Sequence, residues 1–192
     1  MRVLVVDESD ERTALLREAL TSAGHEVAAA LTSPLELLRV VDELRPDVIV
    51  IDTESPTRDV LEHLVIVSQS SPRPIVMFAT DSGGQAIRDA VRAGVSAYVV
   101  DGLDASRVNT IVDVACARFE EFQRLRLELA EANLKLSERK LVERAKGLLM
   151  HSRGLSEDDA YHALRRLAMT RKARLGDVAQ QVIDASELLG KS

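Results

Sequence analysis

Five carboxylates stand where an acidic cluster could do chemistry. Asp7 and Glu8 close a short apolar run, Val3–Val6; Asp52 closes another, Val48–Ile51; Asp81 and Asp101 follow two more, Ile75–Ala79 and Ala97–Val100. If these runs are parallel strands, the acids gather at one rim of a sheet, at the carboxyl ends where such sheets carry their sites. Carboxylates brought together there can hold Mg2+, a hard cation that takes a few carboxylates and completes its shell with water and phosphate oxygens. Asp7, Glu8 and Asp52 would be the ligands, and the ion would let Asp52 attack a phosphoryl donor without prohibitive repulsion. Strand ends are also where loops begin and polar residues belong, so one acid alone says little and the group says more. Nothing in the chain requires any other cofactor.

A second constellation is cationic. Residues 137–192 carry 11 Lys/Arg against 8 Asp/Glu, a balance of +3, whereas residues 1–110 carry 10 against 18, a balance of −8. An acidic head and a mildly basic tail suit a protein whose C-terminal part meets a polyanion; a solvated surface of uneven charge is the plainer reading. Within the tail, Arg144, Lys146, Arg165, Arg166, Arg171, Lys172 and Arg174 put cations at helix ends and faces, enough for several phosphate contacts. Unpaired RNA bases are read by stacking on aromatic rings or guanidinium planes. Tyr161 is the only aromatic in this segment, so arginines would do most of the stacking, and Tyr161 reads equally well as a packed core residue. His151 and His162 have no third ligand at metal-binding spacing and read as surface histidines.

Periodicity gives the elements that must position these residues. Over residues 1–104 the runs Val3–Val6, Val27–Leu31, Val48–Ile51, Ile75–Ala79 and Ala97–Val100 are strand-length and alternate with amphipathic segments. Leu15, Leu16, Ala19 and Leu20 line the first helix, and Ser33-Pro34 opens the second with an N-cap and a proline at its first position. Leu61, Leu64 and Val65 mark the third, and Ile87, Ala90 and Val91 the fourth. Five such alternations argue for an α/β fold, a doubly wound parallel five-stranded sheet of the flavodoxin-like kind.

From Asp104 the pattern turns helical for about forty residues, with no glycine or proline between Gly102 and Gly147. Val108, Ile111, Val112 and Ala115 would pack its start on the sheet. Beyond them Phe122, Leu125, Leu129, Ala132 and Leu136 form one apolar row, and Leu127, Leu134, Leu141 and Leu148, spaced by sevens, form another. At about 100° per residue the rows lie on nearly opposite faces, so this helix needs two partners. A second copy in a coiled-coil homodimer is one reading; packing of both faces within a helical bundle is the other. Ser156 then caps a helix that carries Ala160, Tyr161, Leu164, Leu167 and Ala168 and ends near Arg171, and a last helix begins at Leu175–Asp177. The chain divides into 1–110, a linker helix at 111–136, and a three-helix unit at 137–192 that is too small to bury much core alone.

Composition narrows the classes. Apolar residues make up 46% and charged residues 29% of the 192, which is ordinary for a globular chain and leaves material for a core. The first apolar run is too short for a signal peptide, and no segment approaches 18 uninterrupted apolar residues, so no membrane role and a cytoplasmic location are expected. The lone Cys116 has no partner for a disulfide or a metal site.

These motifs carry a resemblance. Val3-Leu4-Val5-Val6-Asp7-Glu8, Pro46-Asp47-Val48-Ile49-Val50-Ile51-Asp52 with Pro56 four residues on, and Ala93-Gly94-Val95-Ser96-Ala97-Tyr98 resemble the receiver domain of two-component response regulators. The resemblance implies that Asp7 and Glu8 bind Mg2+ and that Asp52 is the phosphoacceptor of a phosphorelay. Two departures weaken that implication. Ala79 stands where receivers carry a Ser or Thr, with Thr80 one place late, and Asp101 stands where they carry a Lys. The hydroxyl and the ammonium are what stabilise and report the added phosphate, so a carboxylate in place of the ammonium reverses the sign of that contact.

The C-terminal motifs resemble the ANTAR domain across nearly all of residues 137–190. They are Leu141-Val142-Glu143-Arg144-Ala145-Lys146-Gly147-Leu148-Leu149-Met150, Gly154–Tyr161, Leu164–Met169 and Leu175–Ala179. That resemblance implies a transcription antiterminator that binds paired hairpins in leader mRNA, with Arg144, Ala145, Lys146, Tyr161, Arg165, Arg166, Arg171, Lys172 and Arg174 as candidate RNA-binding residues. Val99-Val100-Asp101-Gly102-Leu103 is similar to the NasT type of nitrate-assimilation regulator, which implies a NasS-like nitrate-sensing partner and nitrate or nitrite genes as targets. No catalysis is needed. The competing reading is a DNA-binding response regulator switched by phosphorylation of Asp52, against which the segment after Asp177 is nearly devoid of cations.

Overall fold

Apolar runs buried on both faces can satisfy their backbone only by pairing with one another, and here Val3–Val6, Val48–Ile51 and Ile75–Ala79 do so as the buried middle of a five-stranded sheet. In a computed structural model that describes residues 1–100 and 106–189, the chain runs β1 (Arg2–Asp7), α1 (Asp10–Ser22), β2 (Glu26–Leu31), a 3-10 turn (Pro34–Glu36) and α2 (Leu37–Leu44). It continues through β3 (Val48–Thr53), α3 (Arg58–Ser70), β4 (Ile75–Ala79), α4 (Gly84–Arg92), β5 (Ala97–Val100), α5 (Val108–Arg153), α6 (Glu157–Arg171) and α7 (Leu175–Leu189). The strand order is β2-β1-β3-β4-β5 and every pair is parallel, the flavodoxin-like doubly wound arrangement that the alternation of strands and helices implies.

Successive side chains on a strand point to opposite faces, and here both faces are covered. Val3, Val5, Val48, Val50, Val76 and Phe78 pack against α1 and the start of α5, through Leu16, Leu20, Val108, Val112 and Ala115. Leu4, Val6, Ile49, Ile51, Ile75 and Met77 face the other way, toward Leu37, Val41, Leu64 and Ala90 of α2, α3 and α4. Two positions read as core from periodicity lie outside it: Leu15 on α1 and Val91 on α4 are exposed. Asp101, the acid expected after β5, lies outside the described residues.

The chain forms two compact units, Met1–Gln123 and Arg124–Ser192. In the second, α5 passes straight through Gly147 and stops at Arg153, where Gly154 takes φ +62 and lets the chain turn. Ser156 then caps α6: its hydroxyl accepts from the Asp159 amide at 3.1 Å and donates to the Asp159 carboxylate at 2.7 Å. Val142, Ala145, Leu164, Ala168, Val178, Ala179 and Ile183 make a small core among the end of α5, α6 and α7. Among the described residues, no helix is long and apolar enough to cross a membrane.

Gly94 follows α4 at φ +102, and a Cβ added there would lie 2.7 Å from Ser68 Cβ on α3. Gly24, after α1, has φ +83 but open space around it. We expect Gly94→Ala to cost about 3 kcal/mol, conformational strain plus overpacking, and Gly24→Ala about 1 kcal/mol, strain alone. Urea unfolding of the two variants measures the difference, and equal losses would show that α3 yields freely at Ser68.

Candidate functional site

Parallel pairing of β1 with β3 sets Asp7 directly beside Asp52. Both are buried, Asp7 at 1% and Asp52 at 9% exposure, although carboxylates are rarely buried without a partner. The partner is Arg12. Ser9 caps α1, accepting from the Arg12 amide at 3.4 Å, and so fixes Arg12 in the first turn. Helical side chains lean toward the helix N-terminus, which brings this guanidinium back over the end of β1. Arg12 Nη2 donates to Asp7 Oδ1 at 2.9 Å, and Nε lies 3.3 and 3.4 Å from the two Asp7 oxygens. The Ser9 amide donates to the same Oδ1 at 2.8 Å. Arg12 Nε is 3.9 Å from Asp52 Oδ2, so one cation serves both acids.

The electrostatics follow. Burial pushes the Asp52 carboxyl above the ordinary range and the neighbouring Asp7 charge pushes the same way, while Arg12 and the Thr53 backbone N–H oppose them. The hydrogen bond to Asp7 holds Arg12 firmly protonated. Sequence reading missed Arg12 and left the pocket without a side-chain cation; its position five residues after Asp7, three after the Ser9 cap, is the signal that could have found it.

The expected trio of Asp7, Glu8 and Asp52 is not assembled. Glu8 is exposed, because neighbouring residues of an extended chain point in opposite directions and Asp7 takes the inward one. Among the described residues, no three His, Cys, Asp or Glu side chains come together as metal ligands. Asp7 Oδ1 accepts from three N–H groups, Oδ2 only faces Arg12 Nε at 3.4 Å, and Glu8 is turned away. As arranged, these residues do not supply the three carboxylates expected for a divalent ion.

The loops above Asp52 are tied to one another. The Glu54 carbonyl accepts from the Thr80 and Asp81 amides at 3.1 and 2.9 Å, and Ser55 Oγ donates to the Asp81 carboxylate at 2.8 Å. Tyr98 Oη donates to the Asp81 carbonyl at 2.7 Å, joining β5 to the same loop. The Gly83 amide and the Ser55 hydroxyl hold Asp81 below the usual carboxylate range, so this acid organises a loop and is not part of the pocket. Ala79 is buried, while Thr80, one place later, lines the cleft over Asp52 with Arg12, Leu15, Thr53 and Asn109.

In the second unit the structure sorts the candidate cations. Ala145 is fully buried in the small core and offers nothing to a ligand. Lys146 is only 8% exposed and ties Glu143 of its own helix, at 3.0 Å, to Glu157 in the first turn of α6, at 2.8 Å. Those carboxylates, Glu157 first, push the Lys146 ammonium up, and it pulls Glu157 down. Arg144 pairs with Glu187 of α7 at 2.7 Å, and Arg171 bonds Gln181. The long stems of these residues serve the fold. Lys172 ends α6 in the left-handed region, φ 51, and is exposed, as is Arg174.

Arg165 and Arg166 differ. Both are exposed, and among the described residues neither has a carboxylate within ion-pairing distance. Tyr161, 39% exposed, precedes Arg165 by one helical turn, and the exposed Met169 follows by one, so an aromatic ring, a guanidinium and a thioether form one surface strip. The Tyr161 ring lies 6.1 Å from that of His162, which stands one turn before Arg166. Tyr161 is thus partly exposed and lies outside the small core of its unit.

Comparison with known proteins agrees with this division. Residues 3–113 match the response regulator receiver domain and residues 130–183 the ANTAR domain. The transcriptional regulatory protein PdtaR of Mycobacterium tuberculosis is 31% identical over 183 residues, 95% of this chain and 89% of that protein. The chemotaxis protein CheY of Thermotoga maritima is 29% identical over 108 residues, 56% of this chain and 90% of that protein. Among solved structures, the signal receiver domain of a modulated diguanylate cyclase from Desulfovibrio desulfuricans superposes with a TM-score of 0.55 at 22% identity, covering 62% of this chain and 95% of that domain, a likeness of fold.

Because the raised pKa of Asp52 means that the fold disfavours its charge, the cost is complete above that pKa and disappears as the pH falls through it toward the ordinary range. Asp52→Asn should therefore raise the melting temperature by a few degrees at pH 7, and its advantage should shrink as acid protonates the wild-type carboxyl. Calorimetry between pH 7 and pH 4 checks this. A variant less stable at pH 7 would mean that the Arg12 attraction outweighs burial.

Proposed function

Because this chain belongs to the ANTAR response regulators, a receiver domain followed by an ANTAR domain, we propose that it is an RNA-binding transcription antiterminator acting on leader-mRNA hairpins. The observation that carries this reading is the α6 surface. Among the described residues, Arg165 and Arg166 of α6 are exposed with no carboxylate within ion-pairing distance, and Tyr161, 39% exposed, stands one turn before Arg165, whereas Arg144 and Lys146 of α5 are engaged with Glu187 and with Glu143 and Glu157. Phosphates need free cations, and splayed loop bases need flat faces; Tyr161 and Arg165, one turn apart on one strip, and Arg166 beside them offer both on α6. Lys172 and Arg174 add charge at the α6–α7 turn. A DNA-reading helix is poorly served by α7, whose sequence holds no Lys or Arg.

The resemblance of residues 99–103 to nitrate-assimilation regulators extends the proposal to nitrate and nitrite genes and to a NasS-like sensor as the partner that holds and releases the protein. Burial and the Asp7 charge disfavour negative charge at Asp52, with Arg12 opposing them in part, and this supports partner control. The protein acts as a homodimer. Within α5, Leu127 is 71% exposed and Leu125, Leu129, Leu134 and Leu136 are exposed as well, two apolar rows of which a second copy would cover the one holding Leu127 and Leu134. The heptad row does not continue as one interface, because Leu141 and Leu148 pack against the small core of their own unit.

Two measurements test the proposal. Mobility shifts with a two-hairpin leader RNA should weaken with salt, with a log–log slope of about −0.7 per phosphate contacted in single-stranded elements. Arg165→Ala with Arg166→Ala should flatten that slope, while Lys146→Ala should leave the slope intact and lower thermal stability. Equal or tighter binding to duplex DNA of matched length would favour a DNA-binding regulator instead. In light scattering, Leu127→Lys with Leu134→Lys should shift the mass from dimer toward monomer, and a wild-type protein that stays monomeric over a wide concentration range overturns the dimer.

A further inference from the structure

The acid pocket contains a cation supplied by the chain itself. Asp7 Oδ1 accepts from three N–H groups, those of the Ser9 amide and of Arg12 Nη2 and Nε, so its lone pairs are engaged. The second Asp7 oxygen also lies 3.4 Å from Arg12 Nε, and the same nitrogen faces Asp52 Oδ2 at 3.9 Å. Two carboxylates and one guanidinium leave the cluster with a net charge of −1, where two bare carboxylates would present −2. The guanidinium is held in place by the helix cap at Ser9 rather than by chance contact, since Ser9 fixes the first turn and also donates to Asp7.

We infer that Arg12 is the resident counter-ion of this pocket and takes the place of a divalent ion, so that the receiver domain stays metal-free and Asp52 is not presented to a phosphoryl donor through Mg2+. Mg2+ requires oxygen ligands at about 2.0–2.1 Å in near-octahedral array and gives up its waters reluctantly. To reach Asp7 and Asp52 it would have to break the Arg12 contacts and settle beside a displaced positive charge, without help from Glu8, which is turned to solvent. The Arg12 side chain is 37% exposed, so removing it would leave an opening to water and two inward carboxylates with their charge uncompensated. The pocket is thus a divalent site masked by one side chain. This inference does not depend on RNA binding, and its test reads metal alone.

The test is a titration of the full-length protein with Mn2+, following free ion by electron paramagnetic resonance, with Mg2+ as competitor. Wild type should show no saturable site in the low millimolar range. Arg12→Ala should gain one Mn2+ site, at least tenfold tighter than any wild-type binding and displaced by Mg2+, and adding Asp52→Asn should abolish it. Arg12→Lys, which keeps the charge, should resemble wild type. If Arg12→Ala fails to give a folded circular-dichroism spectrum, Arg12→Gln keeps the stem and loses the charge, and should gain the same site. The inference is overturned if wild type binds one Mn2+ as tightly as the Arg12 variants do, or if the folded variants gain no site.

Discussion

Two aspartates side by side on neighbouring buried strands cannot both be charged without a cation, and that constraint organises the N-terminal unit. The pairing of Asp7 with Asp52 comes from the register of β1 on β3, which the apolar cores on both faces of the sheet lock in place. A slip of one residue would turn every valine of β1 to the wrong face, so the acids are held together by packing far larger than their mutual repulsion. Something must then neutralise them, and the nearest element in the chain is the first turn of α1. Ser9 starts that turn, Arg12 closes it over the acids, and Ser55, Asp81 and Tyr98 tie the loops above. The pocket keeps a receiver's aspartates while supplying their counter-charge from within.

Burial decides the use of cations in the C-terminal unit as well. Ala145, Ala168 and Ala179 sit in its core beside Val142, Leu164, Val178 and Ile183, and a charged side chain buried against that core must find a partner. Lys146 finds Glu143 and Glu157, which also places an acid at the start of α6, where the helix dipole favours it. Arg144 pairs with Glu187 at the surface, where both side chains are exposed. Gly176 sits so close to α5 that an added Cβ would lie 3.1 Å from Glu138 Cγ, a sign of tight contact. Arg165 and Arg166, on the outward face of α6, are exposed with no carboxylate partner among the described residues, and a polyanion could reach them.

How much of this the sequence shows depends on how local the cause is. The sheet is legible because parallel strands buried on both faces read as unbroken β-branched runs, and helices between them carry their own period. Leu15 and Val91 mislead because an apolar residue at the edge of a helical stripe looks the same whether or not a neighbour covers it. Gly147 looks like a helix end, yet a glycine within a helix costs only about 1 kcal/mol and packing on both sides outweighs it. The roles of Lys146, Arg144 and Ala145 are not legible, since their partners Glu157 and Glu187 come from other helices and a charge count cannot distinguish a paired cation from a free one. Arg12 is the intermediate case. Its cap, its spacing from Asp7 and the backward lean of helical side chains are all local, and together they place it; what hides it is that the familiar motif directs attention to the acids.

The long helix shows how one apolar pattern can serve several ends. Val108, Val112 and Ala115 belong to the core of the first unit, Val142 and Ala145 to that of the second, and Leu125, Leu127, Leu129, Leu134 and Leu136 between them belong to neither. A helix with no fixed partner over that stretch has little to hold it beyond backbone hydrogen bonds and pairs such as Glu131 with Lys135, worth a few tenths of a kcal/mol each. Helices of that kind gain their stability from whatever covers the apolar face. Because the same continuous element supplies residues to both cores, covering or uncovering its middle changes the stability of a segment anchored at each end. A partner that competes for those leucines therefore has a physical handle on the protein that does not require chemistry at Asp52.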